Sequence, residues 1–180
     1  MRQRLELSAG LPHLNLFGTA LLKLKQTIWL AAIMLVGACS ENPVAPPDID
    51  IQSLQAAPEK LTVSGKALIL RCSLWRDFMP ISPPDGRPLV VVIAVQTADS
   101  TALPEGLDAD VVYVIYEGQV WKAWLEDNPD SSQPPYRLEK VARDGPKWGP
   151  AVYVDVVVRL QHGGKSYFLR ASRQLIQKTS

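Results

Sequence analysis

From about residue 60 onward, apolar side chains recur at every second position, and this spacing restricts the fold more than any other feature. Leu68, Leu70, Cys72 and Leu74 alternate with Ile69, Arg71, Ser73 and Trp75. Val152, Val154, Val156, Val158 and Leu160 alternate with Tyr153, Asp155, Val157 and Arg159. A period of two separates side chains onto the two faces of an extended strand, whereas a helix needs 3.6. Leu89 to Val95 is an unbroken, β-branched run, the pattern of a strand buried on both faces. With Leu61–Val63, Val111–Tyr116, Gln119–Leu125 and the run through Tyr167, Leu169 and Ala171, about seven strands are expected. Nearly all the prolines beyond Pro12 fall in the gaps. Pro80, Pro83, Pro84 and Pro88 mark one loop, and Pro129, Pro134, Pro135, Pro146 and Pro150 another.

Short strands and turn signals in about 120 residues predict an all-β domain. The pattern resembles an immunoglobulin-like or fibronectin-like antiparallel β-sandwich, with a small barrel as the alternative. A turn at Gly163-Gly164 pairs Leu160 with Tyr167, Val158 with Leu169 and Val156 with Ala171 on one face. It pairs Arg159 with Phe168 and Val157 with Arg170 on the other, leaving Asp155 diagonal to Arg170. A turn at Glu117-Gly118 puts Val112, Val114, Trp121 and Ala123 toward the core. Its other face carries Val111, Tyr113, Ile115, Val120, Lys122 and Trp124, too apolar for a solvated face. Either the connection from Asn128 to Pro150 covers it, or it is a contact surface.

The N-terminal region carries an address. Lys23 and Lys25 precede the uncharged apolar run Thr27–Val36, which is too short for a membrane span and suits a secretory signal peptide. The run ends in Val36-Gly37-Ala38-Cys39, which resembles the lipobox of bacterial lipoproteins. The resemblance implies cleavage before Cys39 and lipidation of its thiol, hence a membrane attachment. Ser40 after the cysteine implies the outer membrane where the source has two. The leader is longer than usual for that class, which puts the expected start nearer Gly18. Ser40 to Asp48 is Pro-rich and polar, the composition of a tether. The expected organisation is a signal peptide over 1–38, a disordered tether over 39–58 and the β-domain over 59–180.

The whole chain has 19 basic and 18 acidic residues, and removing 1–38 leaves 15 and 17. Such a balance argues against nucleic acid, which needs a basic face. After Cys39 the one remaining thiol is Cys72, read as a small buried apolar residue. His162 is the one histidine beyond the leader and sits beside a turn, so neither a nucleophile–base pair nor a zinc site is expected. Asp108-Ala109-Asp110 lacks the remaining spacing of a calcium loop. No cofactor fingerprint occurs. The Asp144, Gly145, Tyr153 succession resembles a tyrosine corner, which would make Tyr153 structural.

Two loop clusters are candidates for contact. Trp75, Arg76, Asp77 and Phe78 end the first long strand, and Trp148 stands between two Gly-Pro breaks. Together with Tyr113 and Trp124 they are the candidate partner-contact residues, since loops on a rigid frame carry binding and Trp and Arg are frequent contact anchors. The expected function is a lipid-anchored envelope module that binds a protein or glycan, or serves structurally, without catalysis. The alternatives are a hydrolase of envelope polymers using paired carboxylates and a protease-inhibitor-like loop binder.

Overall fold

The computed structural model describes residues 44–128 and 133–179. The signal peptide, the lipobox and Cys39 lie outside the described residues. Nine strands form the domain: β1 (Lys60–Val63), β2 (Lys66–Asp77), β3 (Leu89–Thr97), β4 (Asp108–Tyr116), β5 (Gln119–Trp124), β6 (Glu126–Asp127), β7 (Arg137–Gly145), β8 (Tyr153–His162) and β9 (Lys165–Thr179). They make one continuous sheet in the order β5-β4-β8-β9-β2-β3-β7-β6, with β1 paired to β2. The fold is all-β and nearly closes into a barrel. All pairings are antiparallel except β2 with β9, which run parallel over Leu74–Asp77 and Ile176–Thr179.

Both hairpin registers follow from the turns. Leu160 faces Tyr167, Val158 faces Leu169 and Val157 faces Arg170. Around Glu117-Gly118, Val114 faces Trp121 and Tyr113 faces Lys122. The Arg170 guanidinium lies 3.7 Å from Asp155, the expected diagonal pair. The inward set, including Leu68, Leu74, Ile93, Val112, Val156, Leu160 and Leu169, forms the main core. Trp121 faces this core but is only partly buried against it.

Two expectations are corrected. The connection from Asn128 to Pro150 is not a covering loop, because its middle is β7, paired with β3. Five charged residues hide the strand in Arg137-Leu138-Glu139-Lys140-Val141-Ala142-Arg143-Asp144-Gly145. Lys140 is buried at 9% exposure because its ammonium meets Asp108 at 2.7 Å and Asp127 at 3.2 Å. A paired charge thus occupies a position that the hydrophobic pattern would have left empty.

The second correction concerns residues 45–58, expected as part of the tether. They are ordered as a strap across β4, β5, β8 and β9. A short helix, α1 (Ile51–Gln55), starts at Asp50, whose carboxylate accepts the Ser53 amide at 3.1 Å. Leu54 and Ala57 are buried against Val111, Tyr113, Ile115 and Val157, forming a second core on the outer face of the sheet. The Tyr113 hydroxyl donates to the Pro47 carbonyl at 3.1 Å, Lys122 pairs with Asp48, and the Arg170 amide donates to the Pro58 carbonyl at 2.9 Å. The prolines rule out a long helix here, but Ile49, Ile51, Leu54 and Ala57 supply the apolar side that a free tether lacks.

Candidate functional site

β2 points Leu68, Leu70 and Leu74 into the core, and the next inward position is Arg76. At 3% exposure this arginine closes one end of the barrel. Its Nε donates to the Arg87 carbonyl at 3.0 Å. Its Nη1 donates to the carbonyls of Lys147 at 2.9 Å and Gly149 at 2.7 Å, and its Nη2 donates to the Asp85 carbonyl. The Phe78 ring lies 5.0 Å from the guanidinium and 5.2 Å from the Lys178 ammonium. Carbonyl dipoles and a ring face therefore take the place of water around a buried charge. The acceptors come from two segments, so one side chain fixes both the loop after β2 and the loop after β7.

Asp77 organises the rest of this end. Its carboxylate accepts the Met79 amide at 2.9 Å, Ser82 Oγ at 3.2 Å and Thr179 Oγ1 at 3.2 Å, and Arg87 lies 3.5 Å away. The Met79 amide is the main reason that its carboxyl is held below the usual range, with Ser82, Thr179 and Arg87 adding to it. Two tight turns follow: Ser82 N–H to the Met79 carbonyl at 2.7 Å, and Gly86 N–H to the Pro83 carbonyl at 2.8 Å. Gly86 has φ +76°, and a Cβ there would stand 2.6 Å from the Phe78 ring, so only glycine fits. Lys147 Nζ reaches Asp85 at 2.5 Å and joins the two loops at the surface. That contact is the largest influence lowering the Asp85 carboxyl.

The candidate contact residues are thus distributed unevenly. Trp75, Phe78 and Trp148 are half-buried, and Trp148 packs against the Tyr116 ring at 5.5 Å and the core. Arg76 is buried and Asp77 is engaged in several bonds, so both act in holding loops. Tyr113 is fully buried under the strap, which removes it as a contact residue in this form of the chain. Trp124 remains 43% exposed, with the Arg159 guanidinium 5.8 Å from its ring. Tyr153, expected to be structural, is 56% exposed and lies under Arg173 at 5.1 Å. The large apolar residues that this end displays are Met79 and Ile81, neither an aromatic nor a charged anchor. Their signal was an aliphatic pair inside a proline cluster, where a loop should be polar.

Reactive arrangements lie elsewhere. Ser64 Oγ is 2.9 Å from His162 Nε2 at the opposite end, where the β1–β2 and β8–β9 turns meet. The His162 Nδ1 has no hydrogen-bond partner among the described residues, so nothing orients the ring as a base. A cleft of about 370 Å³ beside the β4–β5 turn is lined by Glu117, Asp155, Tyr153 and Arg173. Asp155 is already engaged there by the Arg173 amide at 2.9 Å and by Arg170. Of the Asp108-Ala109-Asp110 carboxylates, the first holds Lys140 and the second accepts both Arg159 Nε and Nη2, at 2.8 and 2.7 Å. Burial alone would raise the Asp110 carboxyl, but Arg159 and Gln161 outweigh it and lower it. Among the described residues no helix is long and apolar enough to cross a membrane. No family model, curated protein or solved structure matches the chain.

Proposed function

We propose that the protein is a lipid-anchored module of the cell envelope whose work is contact rather than catalysis. The observation that carries this reading is the Arg76 clamp. A buried cation with four carbonyl acceptors fixes two loops in one shape, and a loop fixed before it meets its partner loses less entropy on binding. At the clamp itself, Asp77 and Asp85 are engaged in holding backbone and cations. The lipobox-like Val36-Gly37-Ala38-Cys39 supports the location, at the outer membrane where two membranes exist.

An immunoglobulin-like frame is the finer fold reading. The neighbour runs β2-β3-β7-β6 and β9-β8-β4-β5 follow the A-B-E-D and G-F-C-C′ orders of immunoglobulin domains, and the parallel β2–β9 patch joins them. Loops at the ends of such frames carry binding, which agrees with the clamp lying at one end.

Replacing the thiol tests the anchor. Cys39→Ser is expected to shift the chain out of the membrane fraction and leave an unprocessed precursor. A mature, membrane-bound Cys39→Ser protein would overturn the reading.

A further inference from the structure

The clamped end displays more apolar surface than the clamp itself requires. Ile81 is 86% exposed, the most of any large apolar side chain described, and Met79 is 51% exposed. With Pro80 they form the apex of the first turn, and none of the described residues buries them.

The backbone of this apex has almost no donors to offer. Of the residues from Met79 to Pro84, Pro80, Pro83 and Pro84 carry no N–H. The Met79 N–H is taken by Asp77 and the Ser82 N–H by the Met79 carbonyl. Only the Ile81 N–H lacks an acceptor among the described residues. A peptide that adds a strand needs a row of free donors and acceptors. At a headgroup boundary the Ile81 N–H and the remaining carbonyls can still meet water, so a segment with few free donors enters at low cost.

Cations surround the apex. Arg87 and Lys147 side chains are 54% and 42% exposed, and Lys178 lies on the Phe78 ring. The nearby carboxylates Asp77 and Asp85 are occupied by Arg87 and Lys147. Long cationic side chains beside an apolar tip can stay at headgroup level while the tip goes deeper. Six residue steps separate Cys39 from Ala45, so a lipid on Cys39 would hold Ala45 within about 20 Å of the bilayer.

We propose that the Met79–Ile81 turn is a bilayer contact: its apex enters the boundary between headgroups and acyl chains, and Arg87, Lys147 and Lys178 meet lipid phosphates. The proposal rests on the lipid-anchor reading for the nearness of the bilayer, and on the chemistry of the turn for the contact itself. It makes the loop end a second attachment that fixes how the domain stands on the membrane.

The test uses the full chain in vesicles of phosphatidylethanolamine and phosphatidylglycerol, with brominated acyl chains as quenchers. A bimane label is placed on Ile81→Cys and, separately, on Lys165→Cys. Lys165 starts β9 and lies at the opposite end from Thr179, whose carbonyl accepts the Phe78 amide. The label at 81 is expected to lose roughly half its emission, the depth of an interfacial side chain, while the label at 165 stays unchanged. An unquenched label at 81 on vesicle-bound chain overturns the turn contact and leaves the anchor standing. A response at 81 to added envelope protein, without quenching by lipid, makes the turn a protein contact and also overturns it. Failure of the chain with intact Cys39 to float with vesicles removes the anchor reading, and the contact with it.

Discussion

Arg76 lies where the alternation of β2 calls for an aliphatic side chain, and its chemistry explains why the position tolerates a charge. Each guanidinium nitrogen has a carbonyl acceptor, so the group is stable only while both loops stay in place. Arg76→Met removes the donors and leaves four carbonyls without their partner. The expected cost in urea unfolding is at least about 1–3 kcal/mol, the penalty for a buried acceptor left unsatisfied. Rapid proteolysis of the 78–88 loop should accompany it, and an unchanged midpoint would show that the clamp is dispensable. Asp77 adds a dependence on acid. Its carboxyl is lowered in the folded chain, so its stabilisation is complete above the ordinary aspartate value and is lost as pH falls below that, toward the lowered value. The loop is therefore expected to loosen below about pH 4, and Asp77→Asn should remove that acid dependence. Hydrogen exchange at the Met79 amide, measured between pH 6 and 3 with correction for the intrinsic rate, reads both.

At the scale of elements, the hairpins were legible because a two-residue turn fixes every pair along its strands. Val111 with Trp124 and Leu160 with Tyr167 follow from Glu117-Gly118 and Gly163-Gly164 alone. β7 was not legible, because the sequence shows that Lys140 is charged but not that Asp127 of the adjacent β6 and Asp108 of β4, across the seam, surround it. The strap was missed for the opposite reason. Its prolines resemble those of a free tether, and its few apolar residues matter only beside a face that needs covering. That face was recognised as too apolar, but its cover came from the N-terminal side. Leu54→Ala is expected to cost about 2–5 kcal/mol, as a buried leucine does. Trp124→Ala should stay within about 1 kcal/mol, since much of the ring is already in solvent. Equal effects would mean that the strap contributes little. At the candidate site the sequence showed the cluster around Arg76 but not its inward direction, and nothing in it singled out Met79 or Ile81 as contact residues.

For the whole molecule, the near closure of the sheet depends on few links. The chain passes from β5 through Leu125 into β6, and Lys140 joins β7 to Asp108 of β4 across the seam. Lys140→Met keeps the length but leaves Asp108 and Asp127 without their cation. It is expected to lower the thermal midpoint and to speed exchange of β6 and β7 amides more than those of β8. Uniform exchange across all strands would show that the seam is not a weak line.

The strap has a mechanical consequence. A chain held at its N-terminal end and carried away by flow or by a bound partner feels tension first at Ala45. There the strap crosses the strands, so its attachments at Pro47, Asp48, Leu54 and Pro58 are loaded one after another, like a zip. Releasing residues 45–57 would add about 45 Å of slack before tension reached β1. The parallel β2–β9 patch would be loaded along its length, with its bonds sharing the force. A stretched molecule should therefore lengthen in two stages, a weak yield of that size followed by a strong one, and the barrel would stay intact through the first.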